Sequence, residues 1–220
     1  MFSQAEENYL KAIYALQKAK KEGISTNIIA KKMSTKASSV TDMLKKLALK
    51  HLVIYKKYQG VYLTDAGREI ALKVVRKHRL WECFLVQQLN FKWDEVHEIA
   101  EQLEHVKSEI LIDKLDAFLG HPRFDPHGDP IPDKFGNIAK NNAVNILGME
   151  VGEEGVLDSV KDSSENFLRY LDNKNLAIGD HIKIMDIESF DNSMLISTKT
   201  GQVTISEHVA QNLFLKTQKR

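Results

Sequence analysis

Residues Ser25–Leu63 read STNIIAKKMSTKASSVTDMLKKLALKHLVIYKKYQGVYL, and this stretch decides the architecture. Ser25 or Thr26 can cap a short helix through Lys32, with Ile28, Ile29 and Met33 turned inward and small Ala30 allowing close packing. Ser34-Thr35-Lys36-Ala37 is a short turn. Ser38 or Ser39 then opens a second helix that carries Val40, Met43, Leu44 and Leu47 at helical spacing. Two short helices across a tight turn form a helix-turn-helix pattern. Leu52–Tyr55 and Gly60–Leu63 follow as β-prone runs around Lys56-Lys57-Tyr58-Gln59, which reads as a hairpin with a basic tip, a wing.

On the N-terminal side, Tyr9, Leu10, Ile13, Tyr14 and Leu16 recur at helical spacing, so Glu6 to Lys20 reads as a helix stopped by Gly23. Residues 1–73 hold 14 lysines and arginines against 6 acidic residues, a balance of +8, while the remainder balances at −7. The net charge of +1 thus hides a basic first domain, and that domain suggests an anionic partner. In a helix-turn-helix the start of the second helix reaches base edges and phosphates. Lys36, Ser38, Ser39, Thr41 and Asp42 occupy that place here, Lys45 and Lys46 can meet the backbone, and Lys56 and Lys57 lie on the wing. Double-stranded DNA is the expected partner.

On the C-terminal side, Thr64-Asp65-Ala66-Gly67 caps a long helix from about Ala66 to Gln88. It carries His78 and Glu82, an imidazole and a carboxylate one turn apart that can chelate one divalent ion. Trp93-Asp94 begins the next helical run. In it His97, Glu101, Glu104 and His105 fall within an arc of about 100°, with Val96, Ile99, Leu103 and Val106 opposite. Such a polar face is also what a solvated helix shows. The second His/Glu pair strengthens a metal reading, because two antiparallel helices can share a site. A further helical run reaches Leu119.

Residues 120–132 contain all four prolines, so they form an extended, stiff connection. From about Val144 the pattern changes to short β segments: Gly155–Leu157, His181–Met185, Met194–Ser197 and Gln202–Ile205. A helix from about Glu165 to Leu171 interrupts them, and a small β-barrel is their natural closure. The single cysteine, Cys83, excludes an internal disulfide framework and a cysteine-rich zinc site and fits a reducing compartment. The start carries acidic Glu6 and Glu7 with no long apolar run, unlike a signal peptide, and no stretch is long enough to span a membrane. A cytoplasmic protein is expected.

This order of features resembles the diphtheria-toxin-repressor-like metalloregulators, the iron/manganese-dependent repressor family, in its three-domain type. The residues that carry the resemblance are the winged helix, Arg76–Glu82, Val96-His97 through Glu104-His105-Val106, and Gly128-Asp129-Pro130-Ile131-Pro132. It implies a mainly α chain with a β domain. A winged helix-turn-helix would span 1–73, a helical dimerisation and metal-binding domain 74–140, and an SH3-like β-barrel 144–220. It further implies a homodimer on operator DNA with a divalent metal as corepressor.

Carried over by position, the resemblance implies two metal sites. One takes Glu101, Glu104 and His105 with Asn8 from the first helix. The other takes His78, Glu82 and His97, with Asp125 and His127 from the connection and Asp162 from the β domain as further candidates. Glu101 stands where iron-type members have cysteine, which points to a harder, oxygen-rich site suited to Mn(II), with Fe(II) the alternative and Zn(II) able to occupy it in vitro. Asn8 is neutral where manganese-type members have aspartate, and Lys11 stands where one branch has a ligating glutamate. The reading is a metal-activated repressor of metal-uptake genes with no small-molecule substrate. Its rivals are a metal-dependent hydrolase, for which no nucleophile or phosphate loop is evident, and a winged-helix regulator without a metal.

Overall fold

The computed structural model describes residues 2–19, 23–56 and 60–217. Their contacts gather into two compact units. One comprises Met1–His78, Glu101–Asp113 and Pro132–Asn137; the other comprises Arg79–Ala100, Lys114–Ile131 and Ile138–Arg220.

In the first unit, α1 spans Gln4–Ala19. It starts two residues ahead of the expected Glu6 because Ser3 and Glu6 form a capping box. The Glu6 N–H donates to Ser3 Oγ at 3.3 Å and the Ser3 N–H donates to Glu6 Oε2 at 3.0 Å. The expected end at Lys20 lies outside the described residues. Leu10 and Ile13 are fully buried, with Tyr9 and Tyr14 beside them on the same face. α2 spans Thr26–Lys32, capped by Ser25, whose Oγ accepts from the Ile28 N–H. α3 spans Ala37–Leu49 and starts ahead of the expected Ser38 or Ser39, with Lys36 as a cap whose side chain makes no capping bond. Val40, Leu44 and Leu47 are its fully buried stripe.

β1 (Val53–Lys56) and β2 (Gly60–Leu63) pair antiparallel from Val53↔Leu63 to Lys56↔Gly60. Val61 and Ile24 exchange two backbone hydrogen bonds of 3.0 Å, so the wing's base is tied to the segment ahead of α2. Gly60 has φ +88°, and a Cβ there would lie 2.6 Å from the Gly23 carbonyl carbon. Only glycine allows this crossing of two backbones. Lys57, with Tyr58 and Gln59, lies outside the described residues.

α4 spans Asp65–Leu89, with Thr64 Oγ1 accepting from the Gly67 N–H at 3.1 Å. The helix expected to run through Val106 is shorter. α5 is His97–Leu103, and Glu104 and His105 lie in the turn beyond it. Of the expected apolar stripe Val96 is fully buried, while Ile99, Leu103 and Val106 are half-buried; Ala100 and Glu104 join Val96 in the interior at 0% and 1% exposure, and Glu101 is exposed. The supposed polar face is therefore divided between solvent and interior. α6 spans Glu109–Phe118.

In the second unit, the connection lays its backbone against the β domain, where the Val160 N–H donates to the His127 carbonyl at 3.0 Å. Gly128 has φ +83°, and a Cβ there would lie 2.1 Å from the Asp158 carbonyl oxygen. The domain itself contains β3 (Val144–Asn145), a 3-10 turn, β4 (Glu154–Val160), α7 (Glu165–Asn173), β5 (His181–Ile187), β6 (Met194–Thr198), β7 (Gly201–Ile205), α8 (Glu207–Ala210) and β8 (Leu213–Lys216). The expected SH3-like β domain is present as an antiparallel sheet of order β3-β8-β4-β5-β6-β7. Its end strands β3 and β7 do not pair with each other among the described residues. Register shifts at Leu157/Ser159 and Ile184/Asp186 bend it around Leu157, Leu168, Leu171, Ile182, Ile184 and Ile196. No helix among the described residues is long and apolar enough to cross a membrane.

Candidate functional site

The first unit gathers a buried cluster around Glu104. This carboxylate sits on the turn after α5 at 1% exposure. Its Oε2 accepts from His78 Nδ1 and from the Lys11 ammonium, each at 2.6 Å, and Lys11 Nζ is 3.8 Å from Glu101 Oε1. His105 Nδ1 donates to Glu7 Oε2 on α1 at 2.6 Å, which leaves Nε2 facing Glu104 Oε1 at 3.7 Å. An imidazole held by a carboxylate at one nitrogen presents the other as a metal ligand in fixed orientation. Asn8 is the next residue on α1, and its side-chain oxygen is buried without a hydrogen-bond partner. A buried carbonyl oxygen left unsatisfied is costly, and a cation would satisfy it. The donors here are oxygen and imidazole, which fits a hard divalent ion.

His78, which the sequence grouped with Glu82 and His97, also meets Glu104. Glu101, expected beside Glu104, is 54% exposed, with its Oε1 3.8 Å from Lys11 Nζ. Sequence reasoning passed over Glu7, and it noted Lys11 as a departure from a ligating glutamate but not as a partner of Glu104. The signal for both was available, since they sit on the face of α1 that also bears Asn8.

A second cluster lies in the second unit. Glu82, Asp125 and His127 are all buried, with ligand atoms within 4.8 Å of one another. Glu82 Oε1 accepts from His97 Nδ1 at 3.3 Å, and Glu82 Oε2 faces His127 Nδ1 at 3.8 Å. His127 Nε2 donates to the Trp93 carbonyl at 2.8 Å, so Nδ1 is turned toward the carboxylates. Asp125 Oδ1 accepts the backbone N–H groups of His127 and Asp129, and its other oxygen meets Arg79 Nε at 3.2 Å.

Burial and then the Glu82 charge push the Asp125 carboxyl up to about 7, against the pull of Arg79. Burial works to lower the His127 imidazole, but the Glu82 hydrogen bond and charge win and raise it. Glu82 and Asp125 are two buried carboxylates in one cluster, and a divalent ion would be drawn to both. Asp162 is not in the cluster; its Oδ1 accepts from the Ser164 N–H at the start of α7. Cys83 donates to the Phe124 carbonyl, and burial pushes its thiol up to about 12, so it is a buried thiol rather than a thiolate ligand.

The basic face belongs to α3. Lys36, Ser38, Ser39, Asp42, Lys45 and Lys46 are all exposed, and Lys45 lies 3.7 Å from Asp42. Thr41 differs: its hydroxyl donates to the Ala37 carbonyl at 2.9 Å, which turns it back onto the helix. Lys56, on β1, is exposed.

Comparison with known proteins follows this geometry. "Iron dependent repressor, N-terminal DNA binding domain" matches residues 1–61. "Iron dependent repressor, metal binding and dimerisation domain" matches 64–133, and "FeoA domain" matches 144–217. An uncharacterised helix-turn-helix-type transcriptional regulator of Methanocaldococcus jannaschii is 38% identical over 117 residues, 53% of this chain and 94% of that protein. The iron-dependent repressor IdeR of Mycobacterium tuberculosis is 34% identical over 128 residues, 57% of this chain and 54% of the repressor. A probable metal transport system membrane protein of Chlamydia trachomatis is 50% identical over 70 residues, which are 32% of this chain and 16% of that protein. The matches therefore span about half of the mycobacterial relative and a sixth of the chlamydial one. A manganese-dependent transcriptional repressor in complex with manganese has a similar structure, with TM-score 0.87, 33% identity and coverage of 96% of this chain and 99% of that one.

Proposed function

Because this chain belongs to the family of iron- and manganese-dependent transcriptional repressors, we propose that it is a metal-activated repressor. In this reading it binds duplex operator DNA as a homodimer in the cytoplasm and controls metal-uptake genes. The observation that carries the reading is the Glu104 cluster, where carboxylate and imidazole donors converge on the helix that opens the winged domain. The division of labour follows the chain, with DNA binding in 1–73, dimerisation and metal binding in 74–140, and a β domain in 144–220.

Glu104, His105 and Asn8 would hold the activating ion, with His78 at its edge and Glu7 orienting His105. Glu82, Asp125, His127 and His97 would hold a second. A bound divalent ion supplies two charges and a demand for several hard ligands at once. The protein's own groups translate that demand. Asn8 and Glu7 lie on α1, while Glu104 and His105 lie beyond α5, so satisfying all four fixes α1 against that turn. α1 packs in the winged domain, and its placement sets the pose of α3. Metal affinity and DNA affinity must then raise each other by the same factor.

The donor set favours Mn(II), with Fe(II) the alternative and Zn(II) able to occupy the sites in vitro, since both clusters offer oxygen and nitrogen and the buried Cys83 thiol is not offered. Ile110, Leu111 and Phe118 on α6 are exposed at 72%, 42% and 64%, an apolar surface that supports the homodimer.

The test uses full-length protein stripped with chelator. A duplex selected from a random pool in the presence of Mn(II) is titrated with and without the metal. Binding that appears with Mn(II) or Fe(II) and disappears with chelator is expected. Metal-independent binding would leave the winged-helix regulator, and no duplex binding at all would end the reading.

A further inference from the structure

Lys11 is the one feature of the Glu104 cluster that a metal site does not call for. Its ammonium is 2.6 Å from Glu104 Oε2, 3.2 Å from His78 Nδ1 and 3.8 Å from Glu101 Oε1. It shares with His78 the same oxygen of a carboxylate that is only 1% exposed. A buried carboxylate without a counter-charge is strongly disfavoured, so this contact stabilises the metal-free fold. A divalent ion drawing on that oxygen would sit within a few ångströms of a positive charge, where repulsion is large.

We propose that the Lys11 ammonium is a tethered cation that holds the metal's place on Glu104 in the metal-free protein and must withdraw for a divalent ion to enter. Lys11 thereby sets the metal concentration at which the protein responds. Lys11 is 20% exposed on its side chain, so its flexible stem has a route to solvent. Loading exchanges the single Lys11 link between α1 and Glu104 for the several links through the ion, which fix α1 more closely. The inference rests on the reading of this cluster as a metal site.

The experiment measures two properties of full-length protein: thermal unfolding without metal, and Mn(II) affinity by calorimetry. Lys11→Gln should lower the metal-free midpoint and tighten Mn(II) binding about tenfold or more. Opposite signs are the signature, since a merely structural lysine would lose on both. Lys11→Arg keeps the charge and should stay near the parent on both. If Lys11→Gln folds only when Mn(II) is added, the proposal is supported; if it fails to fold even with Mn(II), it is overturned. Unchanged or weaker Mn(II) affinity in folded Lys11→Gln also overturns it. Glu104→Gln separates the two failures. Parent binding that is lost in Glu104→Gln, with Lys11→Gln unchanged, sinks the lysine proposal alone. Parent protein that binds no Mn(II) sinks both.

Discussion

The His127 ring lies nearly parallel to the Trp93 indole, 6.1 Å between centroids and 16° between planes, and hydrogen-bonds to the Trp93 carbonyl. The indole Nε1 in turn donates to Asp172 on α7 at 3.0 Å, and the ring packs on the β-domain core. One aromatic residue therefore braces a candidate metal ligand and a hydrophobic core. Trp93→Ala should cost about 2 kcal/mol, below a fully buried tryptophan because the ring is half-buried. It should also weaken metal binding at the Glu82 cluster. Urea unfolding and metal content on the same preparation check both.

Gly128→Ala tests the seam between the connection and β4. A methyl group would meet the Asp158 carbonyl, and the residue would keep a left-handed backbone. The loss should be roughly 2–3 kcal/mol. Hydrogen exchange should show the Val160 amide losing protection, since its acceptor is the neighbouring His127 carbonyl.

Glu104→Gln and Glu101→Gln should separate. Both remove one charge, but Glu104 is buried at the centre of its cluster and Glu101 is 54% exposed at its edge. Glu104→Gln should lower metal affinity by about 100-fold or more, and Glu101→Gln by about tenfold or less. A titration of DNA binding against Mn(II) reads the order, and equal losses would contradict the burial argument.

Asp125 ties stability to pH. Its folded pKa, about 7, lies above the unfolded value near 3.8. Between these values the folded state holds a proton that the unfolded state has released, so stability falls as pH rises through that window. His127 is shifted upward as well, so its contribution also declines as pH rises through its folded pKa. Metal-free protein should therefore be more stable at pH 6 than at pH 8 with respect to these groups, and Asp125→Asn should flatten the slope. Metal entry at this cluster should release protons near neutral pH, measurable by calorimetry in buffers of different ionisation enthalpy.

On α3, Lys36→Ala and Lys46→Ala remove exposed charges without touching the buried stripe. Each should weaken DNA binding across sequences and reduce the salt slope by about 0.9 for a lost phosphate contact. Thr41→Val should matter less than either, since its hydroxyl is already engaged by Ala37.

Local patterns were legible where local physics decides them. The Ser25 cap, the α3 stripe of Val40, Leu44 and Leu47, and the wing pairing all follow from spacing and turn chemistry. The wheel through Glu104 failed because the helix stops at Leu103 and the following residues leave its periodicity. A carboxylate placed on the polar arc as a metal-ligand candidate is thus the most buried group of its cluster. The pairing of His78 with Glu104 joins residues 26 positions apart, and that of His105 with Glu7 joins residues 98 apart. No helical period encodes such distances. β8 escaped notice because Leu213–Lys216 is only four residues long, although it joins β3 and β4 within the sheet.

The crossing of Gly60 over Gly23, locked by the Ile24–Val61 bridge, gives the wing a rigid root made only of main chain. Apart from a side chain added at Gly60 itself, substitutions along the wing leave these main-chain contacts in place. Exposed positions on β1 such as Ile54 and Lys56 can therefore be rewritten one residue at a time without moving that root, which makes the wing a place to alter operator preference.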